Sequence, residues 1–142
     1  SFLFPVPAIA LRDGAATLGI LGAALLAWWM VALSRKSLGK PHPGLYWYLA
    51  ALLCLLLGLL TVLLMQHWPG HYPALRRFHL HLNTLGFIGI TAIGTLQVLL
   101  PTAAGLPDGN AALRLRNDLK WVVAGSLLIA CSASGDSMEC PR

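Results

Sequence analysis

The chain is short of charge. Only 11% of its 142 residues are Asp, Glu, Lys or Arg, while 57% are hydrophobic. A soluble domain carries about 25% charged residues, so this set cannot coat a globule of this size. Acidic residues number five, against ten Lys and Arg. The resulting net charge of +5 does not read as a nucleic-acid surface. The basic residues sit in short loops between apolar blocks, where they set membrane orientation. The three cysteines, Cys54, Cys131 and Cys140, show no CxxC or zinc spacing. Cys54 falls inside an apolar block and reads as a small core residue. Cys131 and Cys140 could pair only in an oxidising compartment. No secretory signal is visible, because residues 1–10 hold two prolines and no basic n-region. No internal repeat is present. The chain starts at Ser1, and its last apolar block stops in a polar tail over 132–142. Both ends are expected to mark a fragment of a longer chain.

What is there is four apolar blocks, at about 15–33, 45–65, 79–100 and 119–133. Blocks of about 20 apolar residues match the hydrocarbon thickness of a bilayer. Backbone groups in lipid must be satisfied within the segment, so these blocks must be helices. The expected fold is all-α: a single polytopic transmembrane helix bundle, with three full helices and a partial fourth. The lipid bilayer is its first partner. Tyr46, Trp47 and Tyr48 open the second block as an interfacial aromatic belt. Gly19, Gly22, Ala23 and Ala27 share one face of the first helix and suit close packing.

The connections set an orientation. Arg35, Lys36 and Lys40 lie in the first, and Arg114, Arg116 and Lys120 in the third. Arg12, Arg76 and Arg77 lie on the opposite side. The positive-inside rule then places the first and third loops in the cytoplasm. The second loop, with the start of the third helix, faces outward. Pro69, Gly70 and Pro73 are expected to keep that second loop from continuing as helix. Gly105, Pro107, Asp108 and Gly109 do the same after the third helix.

The third block carries the chemistry. It contains His79, His81, Asn83, Thr84, Thr91, Thr95 and Gln97. Ionisable residues within membrane segments are costly and usually functional. At about 100° per residue, His79, Asn83, Gly86, Gly94 and Gln97 form one stripe. His81 falls about 200° away, on a face with Leu85, Ile88, Ala92 and Thr95. Two histidines two positions apart cannot share one metal, since helical zinc pairs need a spacing of four. They can each ligate a different heme from opposite faces of one helix. They fit equally an interfacial role, hydrogen-bonded to headgroups or water.

The segment from His79 to Gly105 resembles a heme-ligating helix of subunit I in the heme-copper oxidase superfamily. The shared features are His79-x-His81, Gly94 thirteen positions after His81, the terminal Pro101, and Gly105. It is also similar to the NnrS family of heme- and copper-containing membrane proteins, through His79, His81, Gly86, Phe87 and Gly89. A weaker similarity, to the low-spin heme helix of such oxidases, rests on His81 and Asn83. The resemblance implies heme as cofactor, with His79 on a high-spin iron and His81 on a low-spin iron. It implies electron transfer to, or binding of, a small diatomic such as oxygen or nitric oxide, and an oxidase-like or nitric-oxide-reductase-like activity. It implies a bacterial inner membrane, with the His79 end on the periplasmic side. Further helices of the full-length chain or oxidase subunits would be its partners. Arg76 and Arg77 could pair with heme propionates, or anchor at the interface by snorkelling. Asn83 and Gln97 could orient a ligand or bridge helices. Copper would need further histidines, and this chain has no His-His pair and no His-Pro-Glu helix. The remaining histidines, His42, His67 and His71, lie at helix ends or in loops, with His67 at the most plausible depth for a second axial ligand. The alternative function is a non-enzymatic transporter or assembly subunit, its histidines interfacial or conducting protons or metal ions. Against transport, the third block has no mid-helix proline.

Overall fold

The computed structural model describes residues 6–37, 39, 41–106 and 109–135. Among these it is helical throughout, with no strand. The helices are α1 (Val6–Arg35), α2 (Gly44–His67), α3 (Tyr72–His81), a π-helix (Leu82–Gly89), α4 (Ile90–Ala103) and α5 (Ala111–Gly135). The α3, π and α4 pieces follow one another without a break and make one long rod. Three helical stretches are long and apolar enough to cross a membrane: Ala10–Lys36, Gly44–His67 and Pro69–Ala103. The chain is an integral membrane protein by that measure. The expected all-α bundle forms, with three helices apolar enough to span; the fourth, α5, is 25 residues long and is set apart by its lower apolarity and not by its length.

The ends of the elements differ from expectation, for physical reasons. The first helix starts well before residue 15. Arg12 and Asp13 do not stop it, because they pair with each other and Asp13 also accepts from Gln66 Nε2 of α2. The third rod starts at Tyr72 rather than at His79. Pro69–His71 makes a single 3₁₀ turn, and Pro73 falls in the first turn of α3. There proline starts a helix instead of breaking one, since its missing N–H would have no partner anyway. The fourth helix runs from Ala111 instead of 119. Lys and Arg are good helix formers, and Asp118 is bonded to Gln97 Nε2 of α4 at 3.3 Å. Lys40, Pro107, Asp108 and Cys140 lie outside the described residues.

Helix α2 is the spine. It packs on α1, on the α3–π–α4 rod and, more lightly, on α5, while among the described residues α1 packs on α2 alone. Ala16 and Ala23 are buried on that face of α1. A Cβ on Gly19 would sit 3.1 Å from Leu59 Cδ1, so the expected small-residue face does meet α2, although Gly22 has open space. Trp47 is not part of the belt: it is 1% exposed and donates its indole N–H to the Leu115 carbonyl of α5 at 2.9 Å. Tyr46 and Tyr48 are exposed on either side of it. Cys54 is buried as expected.

The rod closes at Gly105, at φ 65°. Its N–H donates to the Thr102 carbonyl and the next N–H, of Leu106, donates to Pro101. Only glycine takes that left-handed backbone cheaply. Gly105→Ala should cost about 1 kcal/mol, read as a lower unfolding midpoint in micelles.

Candidate functional site

His79 is deeper than its position in the apolar block suggests. Because the rod begins at Tyr72, His79 lies seven residues in, roughly 10 Å along the axis. Its Nδ1 sits 2.7 Å from the carbonyl oxygen of Gly58. Gly58 is nine residues from the His67 end of α2, about 13 Å, which puts this contact near the middle of a 24-residue helix. The partner is a carbonyl, so Nδ1 must carry the proton. The same carbonyl accepts the Thr61 hydroxyl at 2.6 Å. Asn83 Nδ2 donates to the main-chain oxygen of His79 at 2.8 Å and lies beside its ring. Gly58, Thr61, His79 and Asn83 therefore form one polar knot between α2 and the rod. Gly58 and Thr61 were not singled out from sequence. Their signal was available: a glycine followed three residues later by a threonine interrupts an otherwise apolar run.

His81 is held differently. Its Nδ1 lies 2.8 Å from the Arg77 carbonyl, one turn back in its own helix. That again places the proton on Nδ1. Both imidazoles thus keep Nε2 as the lone-pair nitrogen, the form that binds a metal. Arg76 and Arg77 are exposed on the same stretch of α3.

Directly after His81 the helix widens into π geometry for eight residues. Asn83 Nδ2 and Thr84 Oγ1 donate to the carbonyls of His79 and Leu80, each four residues back. Those side chains compete with the amides for these acceptors. Gly86 and Gly89 remove side-chain bulk from the same turns. π-turns inside helices are uncommon and occur often at functional sites.

The wide turns also change which residues share a face. Each residue of a π-helix advances less than 100°, so positions after Gly89 lag behind the expected wheel. Thr95 was expected on the His81 face and instead hydrogen-bonds Tyr48 Oη of α2 at 3.0 Å. Gln97 was expected in the His79 stripe and instead turns to Asp118 of α5. Gly86 and Gly94 do stay on the α2 side. A Cβ on Gly86 would be 2.7 Å from Cys54 Cβ, and one on Gly94 would be 2.9 Å from Trp47 Cβ.

Whether heme suits these residues can be tested on space as well as donors. Each histidine offers one Nε2, but at His79 the Asn83 Nδ2 stands 3.5 Å from that nitrogen and must give way to an iron. At Gly58 an added Cβ would meet Asn83 Nδ2 at 2.7 Å. The α2 seam beside His79 has no room for a planar macrocycle, so a ring on His79 must approach from another side. Around His81 the rod is more open, with Leu85 and Ile88 exposed. Of the other histidines, His67 and His71 are exposed and His42 lies at the far end of the bundle. His67 Nδ1 lies 3.2 Å from the Leu63 carbonyl of its own helix. No group of three or more His, Cys, Asp or Glu that could hold a metal ion occurs among the described residues. No family model, no curated protein and no solved structure matches this chain.

Proposed function

We propose that this protein is a heme-binding integral membrane protein, in which His81 and His79 offer Nε2 to iron from different faces of one rod. The observation that supports it most is depth. An imidazole at mid-height of α2, with Nδ1 bonded to the Gly58 carbonyl at 2.7 Å, has been placed where a polar side chain is expensive. The chain's own work is positioning. The carbonyls of Gly58 and Arg77 fix the tautomer and ring plane of the two histidines. Arg76 and Arg77 offer guanidinium groups to heme carboxylates. Bound heme would supply electron transfer to, or binding of, a small diatomic such as oxygen or nitric oxide. The proposed setting is a bacterial inner membrane with the His79 end outward, as the loop charges favour. Further helices or oxidase-type subunits would complete the site, and any copper would need their ligands.

A second reading has its own support. The closed seam at Gly58 and Asn83 makes His79 a lock between α2 and the rod, as in a transporter or assembly subunit without heme. Absorption separates the two. The heme reading expects a Soret band and a reduced-minus-oxidised signal from the purified protein, both lost in the His79→Ala/His81→Ala double variant. No heme in either favours the second, and equal heme in wild type and double variant overturns the assignment of iron to His79 and His81.

A further inference from the structure

A second polar site lies at the opposite end of the bundle, where the first and third loops meet α4 and α5. His42 lines three cavities there, of about 730, 360 and 500 Å³. We infer that this crevice binds an anionic phospholipid. The inference needs only the membrane reading and is independent of heme.

The donors come first. The Gly44 N–H donates to His42 Nδ1 at 3.1 Å. The neutral ring then carries its proton on Nε2 and can donate it onward. Arg116 and Tyr46 line the same 730 Å³ cavity. A guanidinium, an imidazole N–H and a phenol match a phosphate diester. The end of the bundle is basic, with Arg35 and Lys36 at the close of α1. Basic pockets between membrane helices hold anionic headgroups.

Gln97, which lines the 360 Å³ cavity beside His42, is tied to α5 by its Nε2, which donates to Asp118 Oδ2 at 3.3 Å. The 500 Å³ cavity supplies the place for an acyl chain, walled by Met30, Leu45, Val98 and Leu99.

The test is lipid retention by native mass spectrometry of the purified full chain in detergent. The probes are phosphatidylglycerol, phosphatidate and phosphatidylcholine, offered together at equal concentration. Phosphatidylglycerol and phosphatidate should both be retained better than phosphatidylcholine. Arg116→Gln should lower retention of both anionic lipids about tenfold, the loss of one charge-assisted hydrogen bond. Lys120→Gln makes the same charge change on the same helix and should leave retention as it was. Arg116→Gln and wild type should give the same helical circular dichroism, which shows that the bundle is still folded. Equal retention of phosphatidylcholine overturns the inference, as does equal damage from Lys120→Gln and Arg116→Gln. Displacement of the lipid by equimolar soluble glycerol phosphate would overturn the lipid itself as occupant.

Discussion

Trp47→Ala should cost about 3 kcal/mol, the low end for emptying a buried aromatic site. The low end applies because lipid supplies no transfer term between helices, and packing carries the association. Trp47 is fully enclosed, Gly94 of α4 lies against it, and its indole N–H reaches the Leu115 carbonyl of α5. One side chain therefore joins three helices, and removing it leaves a hole at their meeting point. Trp47→Phe keeps most of the volume and loses the hydrogen bond, so about 1 kcal/mol is expected. Unfolding in mixed micelles, followed by helical circular dichroism, measures both. A Trp47→Ala protein as stable as wild type would show that α5 is held by other contacts.

Gly58→Ala is the second large effect. The new methyl would lie 2.7 Å from Asn83 Nδ2, so α2 and the rod must separate or Asn83 must leave its place. Overpacking of this kind costs about 2 kcal/mol. The double variant Gly58→Ala/Asn83→Ala should recover most of that, because the clash is with one side chain. If the double variant is no more stable than the single, the clash is not the cause. The same pair reports on the site. Displacing Asn83 disturbs His79, whereas His81 is bonded within its own helix. A spectral change in Gly58→Ala would assign the affected iron to His79.

The class of this protein was legible from its apolar blocks, since span length alone demands helices in lipid. The histidines were legible as candidates because an ionisable residue in such a block stands out. Their depth was not. It depended on reading Pro73 as the start of a helix instead of an obstacle, and a proline in sequence is compatible with both. The π-helix was not legible either. It arises where Asn83, Thr84, Gly86 and Gly89 act together, and no single one of them signals it. Missing it misplaced Thr95 and Gln97 by a large part of a turn. Trp47 was read as interfacial because it stands between two tyrosines, and only the glycine opposite it on α4 makes its burial possible. The polar pairs Asp13–Gln66 and Gln97–Asp118 join residues 53 and 21 positions apart. Separations of that kind are set by how the helices are arranged, and the sequence pattern of one helix does not contain them.

The central claim is that His81 Nε2 on this rod binds heme iron, and His81→Gly tests it most directly. The account expects the variant to lose or shift the Soret band of the purified protein, and added imidazole to restore it by filling the vacated ligand position. A His81→Gly protein whose Soret band and heme content match the wild type, with no response to imidazole, would contradict it.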